Sequence, residues 1–232
     1  MRCSLIVVAM GLAFATPALA DEECLLPNHI VNNVQAKLAS VVNAPDGNGG
    51  LFKPNRMWSA VVDRQGTLCS VIRSDPDAWP GSRAIAIAKA STANDFSNDK
   101  TALSTANLYS FTQPANTAPA TTFPAGSLYG LNNSNPFNPE LNQQGSGIGK
   151  VAGGIITFGG GVPLYMGGQV IGGLGVSGDT ACADHAIAFR MRHLAGLDGT
   201  PSPDNIVYLG PTELPHDVGH PHCFIGHDIT PS

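Results

Sequence analysis

Charge is scarce in this chain. Of its 232 residues only 12% are Asp, Glu, Lys or Arg, and the 12 basic side chains are outnumbered by 17 acidic ones. An acidic balance of that kind argues against a nucleic-acid partner, which is held first through its phosphates. Long apolar runs are equally sparse. The one at residues 5–14 is about half the ~20 residues that a membrane span needs, and no second run follows it. No C-x-x-C occurs, which removes the usual spacing of a redox dithiol or a thiolate zinc site. No Lys-Ser/Thr pair follows a glycine loop, so there is no P-loop. The stretch 175–179 (GVSGD) fails G-x-S-x-G because Asp179 occupies the last position, so no nucleophile elbow is present.

What the sequence does contain begins with an export signal. Arg2 supplies a positive start, residues 5–14 an apolar stretch, and Ala18-Leu19-Ala20 a small-x-small cleavage site. Residues 1–20 are therefore expected to be removed, leaving a periplasmic or secreted chain of residues 21–232 without a membrane span. Loss of Arg2 makes the product one unit more negative than the full chain's −5. That length suits one domain with long loops. Cys24, Cys69, Cys182 and Cys223 remain, an even number in an oxidising compartment. Four cysteines allow three connectivities, and spacing does not choose among them. The favoured pairing, Cys24 with Cys69 and Cys182 with Cys223, would clip each end of the chain to the body.

Ile30, Val34, Leu38 and Val41 recur at helical spacing and predict a first helix that stops at Pro45. Residues 57–63 and 67–73, joined by Arg64-Gln65-Gly66, predict a β-hairpin with Trp58, Ala60 and Val62 on one face. A helix is expected from Arg83 with Ser82 as its cap, its alanines suited to close packing on a sheet. A short helical stretch follows at 101–111, then a Pro-, Asn- and Gly-rich loop over about 113–149. Segments 154–158, 162–166 and 169–176 read as strands, 181–195 as a last helix, and 206–209 as an edge strand. The tail spans about 210–232. This order predicts an α+β fold, an antiparallel sheet of about five strands with helices packed on it, rather than a βαβ alternation.

Residues 173–178 (GLGVSG) match G-x-G-x-x-G, yet the glycines fall within the last long strand and too little chain follows for a Rossmann sheet. Close helix packing is the better account of them. Gly159, Gly160, Gly161 and Pro163 form either a hairpin turn or a place where backbone amides approach a ligand. Arg83, in a helix's first turn, either holds a carboxylate or pairs with Asp75 or Asp77. His216, His220, His222 and His227 cluster in the tail beside Cys223, a density suited to metal or haem iron, although Pro215 and Pro221 oppose a helical site. Asp179, Asp184 and His185 are the one acid/base cluster, and no nucleophile accompanies them.

Taken in order, residues 82–90 (SRAIAIAKA), 103–105 (LST), 158–164 (FGGGVPL) and 168–178 (GQVIGGLGVSG), followed by Asp184, resemble the GlcG/HbpS-like family over roughly residues 30–194. Residues 127–130 (SLYG), 179–185 (DTACADH) and 219–223 (GHPHC) resemble a longer, exported branch of it. The resemblance implies a profilin-like fold, homo-oligomers and, for some members, haem. On that footing the first expectation is an exported, non-catalytic haem-binding protein. Arg83 or Lys89 would meet a propionate, and His185 or His220, with His222 as a further candidate, would reach iron. The alternative is a scaffold module of an exported oxidation system that recognises a small ligand or a partner protein.

Overall fold

The computed structural model describes residues 23–113, 128–131, 137–209 and 219–221. The hairpin predicted at 57–73 is present and forms one side of the main sheet. Strand β1 (Trp58–Asp63) pairs antiparallel with β2 (Leu68–Arg73). Asp63 closes the turn between them, because its Oδ1 accepts from the Gln65 and Thr67 amides, each at 2.9 Å. A second hairpin joins β3 (Gly161–Met166) to β4 (Gln169–Ser177) through Gly167 and Gly168, both at positive φ as a tight two-residue turn requires. β4 also pairs with β1, so the sheet runs β2-β1-β4-β3, antiparallel throughout.

Both faces of the sheet are covered. On one side Val61, Val162, Leu164, Leu174 and Val176 pack against α1 (Asn28–Ala36), α2 (Leu38–Val41) and α4 (Ala181–Leu194). α1 is pinned further by Gln35, whose amide exchanges hydrogen bonds with Ser59. On the other side Trp58, Ala60 and Val62 share one face, as predicted, and meet Ala86, Ile87 and Ala90 of α3 (Pro80–Phe96). α3 comes very close to the sheet. A Cβ built on Gly175 would lie 2.0 Å from the Ala86 carbonyl oxygen, and one on Gly173 2.1 Å from that of Ala90. The glycines of the apparent dinucleotide fingerprint thus serve helix-on-sheet packing.

Several sequence expectations are corrected. α3 begins at Pro80, three residues before the expected start, since proline at a first helical position needs no amide partner. Residues 101–111 form turns that end in a 3₁₀ segment at Ser110–Thr112, because Ser104 and Asn107 bond each other's backbone and side chains in place of a helix ladder. Residues 154–158 do not form a strand, so the main sheet has four strands. Gly154 lies against Ala88, and the Ile156 amide is taken by Thr92 Oγ1 of α3. β5 (Val207–Leu209) pairs in parallel with β6 (Gly219–Pro221) as a separate ladder and is not an edge of the main sheet. Much of the 113–149 loop lies outside the described residues; within it Pro139–Asn142 is a 3₁₀ turn.

Cys24 and Cys69 are joined as a disulfide. Cys182 is also disulfide-bonded, and its expected partner Cys223 lies outside the described residues. Among the described residues no helix is long and apolar enough to cross a membrane.

The closeness of α3 to β4 is directly testable. Gly175→Ala forces a methyl group against a helix backbone carbonyl and is expected to destabilise the fold by about 1–3 kcal/mol in urea unfolding. Gly167→Ala meets no neighbouring atom within 4 Å, and its cost is limited to the strain of positive φ.

Candidate functional site

Lys89, in the middle of α3, is fully buried beneath the glycine loop. Its ammonium forms an ion pair with Asp184 Oδ2 at 2.6 Å, donates to the Val176 carbonyl at 3.2 Å and lies 4.6 Å from the Phe158 ring centre. Asp184 is placed by the start of α4, where Thr180 caps the helix and the Asp179 amide donates to Asp184 Oδ1. Burial pushes the Asp184 carboxyl up to about 6 against the pull of Lys89, and it lowers Lys89 for the same reason. The pair is hydrogen-bonded as well as charged, yet for both groups desolvation outweighs their mutual attraction, so its removal on one side alone would leave an uncompensated buried charge.

The glycine loop fits between this pair and α4. A Cβ on Gly160 would meet Lys89 Nζ at 2.6 Å, one on Gly161 the Lys89 carbonyl oxygen at 2.5 Å, and one on Gly159 the Ala181 carbonyl oxygen at 2.4 Å. Two of the loop's amides have protein partners: Gly161 donates to Thr105 Oγ1 at 2.8 Å and Gly159 to His220 Nε2 at 3.2 Å. The Pro163 carbonyl accepts from Arg192 at 3.0 Å. The space these glycines open is therefore filled by helix backbone and side chains.

His185 stands one residue beyond Asp184, entirely enclosed, and neither ring nitrogen has a hydrogen-bond partner among the described residues. Burial, together with the charges of Arg192, His220 and Lys89, pushes its pKa down to about 3, so the imidazole is neutral with an unshared lone pair. His220, in β6, is buried too, with its ring 5.0 Å from that of Tyr109. The structure thus brings Lys89, Gly159–161, His185 and His220 together. His216, His222 and His227 lie outside the described residues.

Arg83 is elsewhere. Its guanidinium is buried beneath the Ser146 carbonyl, which accepts from Nη2, while Nη1 has no partner among the described residues. It does not pair with Asp75 or Asp77, both of which lie 3.9 Å from Arg56. Asp179 is committed to the fold, because its carboxylate accepts from the Leu51 and Phe52 amides and the Asn55 side chain. No acid/base pair is left free there.

One feature escaped the sequence reading. Between the end of α2 and the last half of α4 runs an open groove of about 550 Å³, lined by Val41, Ala44, Pro45, Phe189 and Leu194, with His193 at its lip. His193 Nδ1 is 2.5 Å from Asp198 Oδ2. A carboxylate on one ring nitrogen orients the imidazole and leaves the other nitrogen as a donor, the arrangement seen at metal-ligating histidines. Arg190, one turn earlier on the same helix, also lines the groove; it forms an ion pair with Asp46 at 2.6 Å and holds that carboxyl down to about 2. Arg192 anchors the segment that carries Asp198, with Nη2 2.7 Å from Asp204 Oδ1. The pairing of His193 and Asp198 across the end of α4 was the signal available in the sequence.

Enclosure of His185 sets a pH dependence. Its folded pKa is below the ordinary 6.5, so the unfolded chain takes up a proton that the folded one refuses, and stability is lost as pH falls below 6.5. Asp184, shifted upward, acts in the opposite sense between about 6 and 3.8. Comparison with His185→Phe isolates the imidazole. Urea unfolding at pH 7 and pH 5 is expected to move the stability difference in the variant's favour by about 2 kcal/mol.

A family model described as haem degrading protein HbpS-like matches residues 53–191, more than half of the chain. Among solved structures the chain is similar to PduOC in its haem complex, with 25% identity and a TM-score of 0.51 over 73% of this chain and 94% of that one. It is similar in fold to the Klebsiella pneumoniae protein ORFY of family DUF336, with 23% identity and a TM-score of 0.50 over 82% and 98% of the two chains. No curated protein matches it. With its antiparallel sheet, its buried glycine loop and a match over most of that core, the chain belongs to the HbpS-like family.

Proposed function

We propose that this chain is an exported, non-catalytic haem-binding protein that holds the macrocycle in the groove between α2 and α4. The observation that carries this reading is the His193–Asp198 pair at the lip of an apolar groove of about 550 Å³. Haem requires an apolar slot of this order, an imidazole with a free nitrogen, and a cation near its carboxylates. Val41, Pro45, Phe189 and Leu194 supply the first, His193 the second and Arg190 the third. Bound iron would supply a Lewis-acid centre, and the protein's part is to orient one donor and exclude water from one face. The family match and the resemblance to PduOC in its haem complex support the ligand class.

A second reading places the iron at His185, whose unpartnered nitrogens and neutral ring suit a metal ligand. It requires the packing around His185, the glycine loop included, to open, because His185 is wholly enclosed. The two readings separate in a haemin titration followed at the Soret band. Wild type should give a saturable, stoichiometric shift that His193→Ala loses and His185→Phe keeps. Loss in His185→Phe or His220→Ala alone favours the interior. Weak, unsaturable binding by all four overturns haem and leaves the small-ligand or partner-binding scaffold.

The export reading rests on residues 1–20 and has its own test. Expressed with its native N-terminus in a Gram-negative host, the protein should be recovered from the periplasm beginning at Asp21; cytoplasmic material beginning at Met1 would overturn it.

A further inference from the structure

The carboxylate that closes the first hairpin has two sulfur neighbours. Asp63 Oδ1 is fixed by the Gln65 and Thr67 amides and Oδ2 by the Leu25 amide at 2.8 Å. That last bond brings Cys24, which precedes α1, beside Cys69 of β2. One ligand atom each from Cys24, Asp63 and Cys69 lie within 4.8 Å of one another. In the oxidised chain the two sulfurs are bonded to each other.

We propose that reduction converts this corner into a zinc site, with Cys24 and Cys69 as thiolate ligands, Asp63 as the oxygen ligand and a water in the fourth position. A dithiol reductant supplies two electrons to the S–S bond. The bond breaks, each sulfur leaves with an electron pair and takes a proton, and the reductant closes to its own disulfide. Zinc then displaces both thiol protons to solvent. Two thiolates and one carboxylate form a donor set that zinc accepts in tetrahedral geometry, with Zn–S distances of about 2.3 Å. Asp63 is completely buried and held by three amides, so its oxygens are already oriented, and two carboxylate oxygens offer about four lone-pair positions for those three donors and a metal. Cys24 lies in the lead-in before α1, outside any strand or helix ladder, so its sulfur has freedom to separate from Cys69 and straddle an ion. The set is independent of the groove and of the haem reading.

The test compares the purified protein before and after reduction by a dithiol, with zinc measured by competition against a chromophoric chelator and cobalt(II) as a spectroscopic substitute. The reduced protein should take up one tight equivalent of zinc that the oxidised protein does not, and bound cobalt should show a thiolate-to-metal charge-transfer band. Cys24→Ser and Cys69→Ser should each abolish that difference. Asp63→Asn should keep the band and weaken zinc by roughly tenfold or more. Reduction also opens the disulfide of Cys182, and the Cys24→Ser and Cys69→Ser variants, which keep that cysteine and the tail histidines, separate the corner from metal held elsewhere. Equal zinc affinity of the oxidised and reduced forms, or wild-type behaviour of reduced Cys24→Ser, overturns the proposal. If Asp63→Asn does not fold, the two cysteine variants still decide it.

Discussion

The contact between α3 and β4 sets the terms for much of the molecule. A helix resting on a sheet ordinarily keeps a layer of side chains between the two backbones. Here Gly173 and Gly175 remove that layer on the sheet side, and Ala86 and Ala90 reduce it on the helix side. Gaining close dispersion contact along a helix of 17 residues has a consequence for every long side chain on that helix. Lys89 cannot lie flat in the interface. It extends instead toward the end of β4, where the Val176 carbonyl and Asp184 receive it.

From that point the constraints pass along the chain. A buried ammonium needs a buried carboxylate, and the first turn of α4 is where one is stabilised by the positive end of a helix. Placing Asp184 there fixes the start of α4 and its rotation about its own axis. That rotation turns His185 inward, beneath the glycine loop, and leaves His193, eight residues on, exposed at the far end. The two imidazoles of one helix thereby acquire opposite characters. His185 is neutral, enclosed and unpartnered; His193 is open to solvent and oriented by Asp198.

How much of this could be read from the sequence follows the range of the interactions involved. The hairpin at 57–73, the strands at 162–166 and 169–176 and the last helix were legible, because alternation and turn residues act within short stretches; cysteine parity gave disulfides, while the Cys24–Cys69 pairing was one favoured choice of three. The packing role of the β4 glycines was legible too, from their position inside a strand. The expectation for 101–111 failed where Ser104 and Asn107 offered the backbone a closer partner than the helix ladder. That for 154–158 failed where Thr92, more than sixty residues away in the chain, satisfied the amide a neighbouring strand would have taken. The groove was invisible for the same reason, since Val41 to Asp46 and Phe189 to Leu194 meet only after the sheet has brought α2 and α4 to one face.

Access distinguishes the two proposed places for a macrocycle to meet an imidazole. Ligation at His185 would require separating a loop whose glycines already touch α3, α4 and the end of β4, and exposing an ion pair whose partners would then be solvated unequally. Each of those contacts opposes entry before any iron–nitrogen bond forms. The groove asks for no such opening: its apolar lining is solvated in the free protein, so covering it with a flat apolar ligand gains the burial of both surfaces. Arg190 is held by Asp46 and Asn48, and a ligand carboxylate would have to compete with them. That competition occurs at a solvated rim, where exchanging one carboxylate partner for another costs little. On these terms the groove is the more accessible of the two proposed sites, and the buried histidine belongs to the interior of the fold.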